Sequence, residues 1–190
     1  FRDITRTKSL LEDLTGTAVI GYQAPNFSIT DASPWALPLI SKAGYLYDSS
    51  RHPIWHPRYA NERKALLPEK LVTDFGNLFL FPLAAIETPI PRIRLPIAGG
   101  AYWRLLPRSY TMNCLKFLKA KKVPVVCYLH PWEFDCEQPD FSQLSALTRF
   151  RHYGKTKQFS KKVALILNQF TFAPIKTLAS SYFGAVFERT

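Results

Sequence analysis

The sequence predicts an α/β fold built on parallel strands, and three observations carry that expectation. A strand, a helix and a second strand follow one another between Ala18 and Tyr47, the order of a right-handed parallel crossover unit. A further helix, Ser109 to Lys121, leads straight into Val125, Val126, Cys127, Tyr128 and Leu129, a short apolar run suited to a strand covered on both faces. The composition, 47% hydrophobic and 21% charged over 190 residues, is that of a single domain with a real core.

Taken in order, Thr7 to Leu14 reads as the end of a helix, with Leu10, Leu11 and Leu14 on one side and Gly16 placed to stop it. Ala18 to Tyr22 reads as a strand. Ser33 and Pro34 form a helix start, since a serine can cap free amides and proline is tolerated in the first turn. Trp35, Leu37, Leu39 and Ile40 give that helix an apolar face, which Pro38 opposes, and Gly44 ends it before a strand at Tyr45 to Tyr47. Arg51 to Leu71 is polar and proline-bearing and reads as an irregular surface excursion. Leu78 to Pro82 and Ile93 to Pro96 are strand candidates, and AGGAYWR, Ala98 to Arg104, reads as a tight turn. In the helix at Ser109 to Lys121, Leu115 and Leu118 share a face and lysines complement the dipole at the end. After Phe134 a polar linker precedes helices at about Ser160 to Phe170 and Ile175 to Phe187.

The net charge of +11 stands out, with its densest group at Arg149, Arg151, Lys155, Lys157, Lys161 and Lys162. Such a surface attracts polyanions at long range, but no nucleic-acid motif accompanies it, so it reads as a solvated face. Cys114, Cys127 and Cys136 are odd in number and lack CxxC spacing, which suits buried, reduced thiols rather than a disulfide framework or a zinc cluster. No run approaches the roughly 20 apolar residues of a membrane span. Gly99 and Gly100 lack the lysine and hydroxyl residue that follow in a phosphate loop.

His130 closes the apolar run, at the end of a strand where catalytic side chains collect in strand-helix folds. Its segment, YLHPWEF, follows GYQAPNFSIT at Gly21 to Thr30 and GYLYDSS at Gly44 to Ser50, and precedes RFRHY at Arg149 to Tyr153. Together these resemble polysaccharide deacetylases of the NodB-homology class, and within it the bacterial subfamily of exopolysaccharide and protein-sorting loci that carries a C-terminal extension of DUF3473 type. The resemblance runs from about Ser9 to about Ile175. It implies a partial, distorted (β/α) barrel over residues 1–135 with a helical extension over residues 136–190. The subfamily's GGGYFR is here GGAYWR.

The implied reaction is metal-assisted removal of N-acetyl groups from an envelope or exopolysaccharide in the cytoplasm. Acetylated polysaccharide and exopolysaccharide biosynthesis proteins are the implied partners, without nucleic acid and without a transmembrane segment. The resemblance places His130 as the general acid that protonates the departing amine, and Asp48 as the acidic residue that tunes it. Leu129 would line the acetyl pocket, and the Asn26 amide after Pro25 would stabilise the oxyanion. Gln23 stands where the family usually has an arginine against its base aspartate; glutamine can only hydrogen-bond, so an inactive, saccharide-binding relative is the alternative. Trp132 and Arg104 are expected to border the groove, while Trp103 reads as core and Glu133 as either a second acid or a surface ion pair. The family's divalent metal, zinc or similar, is held by an Asp-Asp pair and an H-x-x-x-H pair expected before Phe1. With about three barrel strands against a whole barrel's 200 or more residues, the chain is expected to be the C-terminal part of a longer protein and to bind no metal by itself. His52 and His56 show the H-x-x-x-H spacing, but Pro53 and Pro57 oppose the helix it needs, and Trp55, His56, Arg58 and Tyr59 read instead as a loop, either over the groove or packed on the barrel.

Overall fold

A computed structural model describes residues 1–55, 65–90, 93–139, 141 and 143–184. Helix α1, Arg2–Thr15, stops at Gly16 in the left-handed conformation (φ 63°), as the sequence predicts. Its Leu10, Leu11 and Leu14 remain exposed. Strand β1, Gly21–Tyr22, helix α2, Ala36–Lys42, and strand β2, Tyr47–Asp48, form the expected crossover, with β1 and β2 parallel. Both strands are two residues long because each runs directly into a loop held by side-chain hydrogen bonds.

The irregular excursion expected from Arg51 to Leu71 closes on a regular element among the described residues. It ends in β3, Glu69–Thr73, which pairs antiparallel with β4, Gly76–Leu80, across a turn at Asp74 and Phe75. Gly76 lies at φ 123° in that turn. Strand β4 is also parallel to β2, so the sheet is mixed, in the order β1-β2-β4-β3. Strands β5, Ala85–Glu87, and β6, Arg94–Pro96, form a separate antiparallel pair. The architecture is α/β, and the described residues form no closed barrel.

AGGAYWR is not a turn. Gly100–Leu105 form helix α3, followed at once by α4, Arg108–Ala120. The expected strand at Val125 to Leu129 also differs, since the described residues 123–130 form no ladder. Ala84 N–H donates to Val126 C=O at 3.2 Å, but the Ala84 carbonyl accepts from Ile97 and Ala98, so the chain after β6 takes the neighbouring edge. Side chains hold the segment instead. Val126 is buried with Phe81, Leu83 and Ile97, while Val125, Cys127 and Leu129 pack on Trp103, Met112, Leu115, Phe159 and Ile166.

The region after Phe134 contains α5, Ala146–Tyr153, where only a linker is expected, then α6, Thr156–Gln169, and α7, Ile175–Phe183. Phe159, Val163 and Ile166 of α6 share one hydrophobic cluster with α3 and α4. The boundary expected between residues 135 and 136 therefore separates segments that pack directly on each other.

Candidate functional site

The C-terminal ends of β1 and β2 lead into two loops that hold one another. Tyr47 lays its ring over Gly21, in the space a side chain there would fill. Gln23 donates from Nε2 to the Ser49 carbonyl at 3.2 Å, and the Ala24 amide donates to Ser50 Oγ at 2.7 Å. Ser50 donates its amide to Asp48 Oδ1 at 3.0 Å and its hydroxyl to Oδ2. Asp48 is 1% exposed. Burial pushes its carboxyl up to about 6, against the two Ser50 donors and the charge of Arg51.

Pro25–Phe27 form a single 3-10 turn in which Asn26 (φ 55°) and Phe27 (φ 51°) are both left-handed. A left-handed phenylalanine is costly. Its ring compensates by burial, edge-on to His52 at 5.4 Å and to Tyr128 at 5.0 Å. Asn26 is exposed, and its amide donates to no carbonyl among the described residues. A cavity of about 210 Å³ lies between these loops and the segment opposite, walled by Gln23, Tyr47, Ser49, Leu83, Val126 and Tyr128.

His130 is exposed at the rim of that segment. Its ring meets Tyr128 edge-on at 5.0 Å and lies nearly parallel to Trp132 at 5.9 Å. Trp132 stacks on His152 of α5 at 4.7 Å and 12°, and His152 meets Tyr153 at 4.6 Å. An aromatic row thus runs from His52 and Phe27, through Tyr128, His130 and Trp132, to the end of α5.

The row rests on buried charge. Glu133, in the 3-10 turn Pro131–Phe134, is fully buried rather than on the surface. Its Oε2 accepts the His130 amide at 3.0 Å and its Oε1 faces Arg104 Nε at 3.7 Å. Arg104, 2% exposed, donates from its two terminal nitrogens to the carbonyls of Arg151, His152 and Gly154 at 2.6 to 2.8 Å, capping the C-terminal end of α5. Burial lowers its pKa, and Glu133 opposes that. The guanidinium also lies under Trp132, 5.4 Å from the ring centre. Two glycines make the room: a Cβ on Gly99 would meet the Tyr128 ring at 2.9 Å, and one on Gly100 would overlap the Glu133 carboxylate.

The sequence-selected residues therefore divide. Gln23, Pro25 and Asn26 stand together at one loop, and His130 and Trp132 at the facing segment. Asp48 is committed to Ser50, and no hydrogen bond or ion pair joins it to His130. Leu129 packs toward α6 and is absent from the wall of the Gln23 cavity. Arg104 is buried and caps α5. His52 is a buried aromatic partner, also in ring contact with Tyr102 at 5.9 Å, and Trp55 is exposed. His56, Arg58 and Tyr59 lie outside the described residues. The sequence assigns Tyr128 and His152 no role, although the RFRHY motif includes His152. Among the described residues, no group of three or more His, Cys, Asp or Glu side chains can hold a metal ion.

This combination of a parallel crossover, loops at the strand ends and a rim histidine defines an α/β protein with a candidate site at the C-terminal edge of its strands. The family model described as "Domain of unknown function (DUF3473)" matches residues 49–180, and the chain belongs to that family. The match crosses the boundary expected at 135/136 and includes both His130 and the α5 cap. No curated protein and no solved structure matches the chain. Among the described residues, no helix is long and apolar enough to cross a membrane.

Proposed function

We propose that this chain supplies the proton-delivering side of a site that removes N-acetyl groups from a bacterial envelope or exopolysaccharide. The family is associated with polysaccharide deacetylase-like proteins, which supports the substrate class. The observation that carries the reading is the exposed His130 imidazole, held between the Tyr128 edge and the Trp132 face beside the loop bearing Gln23 and Asn26. As the imidazolium, His130 gives its proton to the amine nitrogen while the carbon–nitrogen bond of the tetrahedral intermediate breaks, releasing acetate and the free amino sugar. The unpaired Asn26 amide is the donor for the oxyanion. Trp132, partly exposed, stands beside His130 at the rim where a saccharide would lie. On this reading residues 1–135 belong to a distorted barrel of NodB type and residues 136–190 extend it.

The test is acetate release from N-acetylglucosamine oligomers by the protein containing this chain. His130→Ala is expected to lower kcat by about a hundred-fold to ten-thousand-fold, with substrate binding largely kept. Acetate release unchanged by that substitution overturns the reading.

A second reading, a saccharide-binding relative without catalysis, is favoured by one observation: Asp48 and Gln23 are both tied to the Ser49–Ser50 loop, and neither hydrogen-bonds to His130. It is supported if the oligomers bind, Trp132→Ala abolishes binding, and neither the parent protein nor a Gln23→Arg variant releases acetate.

A further inference from the structure

The cationic run after α5 is not a uniformly solvated face. Lys155, Lys161 and Lys162 meet Arg108, at the start of α4, around a cavity of about 290 Å³. Gln158 adds an amide to its wall, no carboxylate lines it, and Leu106, Phe159 and Leu165 supply apolar surface. Among the described residues none of these four cations forms a salt bridge.

Two of the four are fixed in place. Lys155 donates to the Leu105 carbonyl at 2.9 Å, and Lys162 to the carbonyls of Trp103 and Leu106, so the end of α3 anchors both ammonium groups. Carbonyl dipoles orient these charges without neutralising them. Burial, with Lys155 nearby, brings the Lys162 ammonium down to about 8, as expected where cations gather without an anion. The 13-residue α4 opens at the same cavity through Pro107 and Arg108; its first turn has no acidic residue and no side-chain cap. The positive end of its dipole adds to the four side chains.

We propose that this cavity is a binding site for a phosphoryl group, either as free phosphate or carried on a sugar. A dianion answers a cluster of uncompensated cations better than a single carboxylate does. The volume exceeds one phosphate, and the apolar wall suits the carbon face of an attached ring. The site is separate from the His130 row, because Arg104 stands between them, lining this cavity while lying beneath Trp132.

Isothermal titration calorimetry of the intact chain at low ionic strength, with inorganic phosphate and with glucose 1-phosphate, tests the assignment. Saturable binding of at least one is expected. The double variant Arg108→Gln/Lys161→Gln should weaken it at least tenfold, and Lys70→Gln on β3 should leave it unchanged. Arg108 and Lys161 are exposed and their side chains make no hydrogen bond among the described residues, so the fold does not depend on them; if the double variant fails to fold, Lys161→Gln alone carries the comparison. Tighter binding of glucose 1-phosphate identifies a phosphorylated sugar as the source, and equal affinities identify free phosphate. Absence of saturable binding for both ligands, or equal loss in Lys70→Gln, overturns the proposal.

Discussion

The carboxylate of Glu133 lies against the Cα of Gly100, in space that any side chain on that residue would take. The contact joins the first turn of α3 to the His130 segment, and it gives the glycine pair of GGAYWR a packing function.

Gly100→Ala should therefore be destabilising although alanine is the better helix former. The added methyl displaces a buried carboxylate from Arg104, and overpacking of this kind costs about 1 to 3 kcal/mol. Urea unfolding measures it. A stability equal to the parent's would mean that Glu133 moves aside freely.

Arg104 and Glu133 should be strongly coupled. Arg104→Met leaves a carboxylate buried without its partner, a change of about 3 to 5 kcal/mol. Glu133→Leu leaves the guanidinium with the α5 carbonyls but removes the acceptor for the His130 amide. The double variant is expected to cost less than the two single losses added together, in a double-mutant cycle read by chemical denaturation. Simple additivity would show that the two side chains act independently.

Asp48 should make the protein less stable as pH rises. Its folded pKa, about 6, lies above the ordinary value of 3.8. Below pH 4 the carboxyl is protonated folded or unfolded, and its contribution is fully present. Between about pH 4 and 6 the unfolded chain ionises first, so that contribution is progressively lost, reaching about 3 kcal/mol at 1.4 kcal/mol per pKa unit. Asp48→Asn should flatten the stability profile across that window in unfolding experiments from pH 3.5 to 8. A slope across that window that Asp48→Asn leaves unchanged would contradict the burial argument.

The three cysteines should differ sharply in reactivity. Cys136 is exposed, contrary to the expectation of three buried thiols. Burial pushes Cys127 up to about 12 and also raises Cys114. A thiol reagent at pH 8 should modify Cys136 rapidly in the native protein and reach Cys127 only on unfolding. Mass spectrometry of the labelled peptides checks the order.

Much of the backbone plan was legible in the sequence, because it depends on local signals. Gly16 and Gly44 stop helices through positive φ, and α4 follows from Leu115 and Leu118. The candidate strand at Leu78 to Pro82 overlaps β4, but its partner β3 was missed because Glu69–Thr73 alternates without a run of strong strand formers, so register rather than composition defines the hairpin. The segment at 125–129 read as a strand because it is apolar and β-branched, yet clusters on both sides hold it in place of a ladder. Within the site, His130 and Trp132 stood out by type and position. The burial of Arg104 and Glu133 did not, since charged residues at exposed-looking spacing reveal their acceptors only when Arg151, His152 and Gly154 are brought close by folding.

The Arg104 cap also bears on how the polypeptide can be divided. Scission after Phe134 would strip α6 from the cluster around Trp103 and leave a guanidinium deprived of three acceptors. Neither piece should persist as a stable species in isolation, whereas co-expressed halves should reassociate, with Arg104 as the determinant of their mutual recognition.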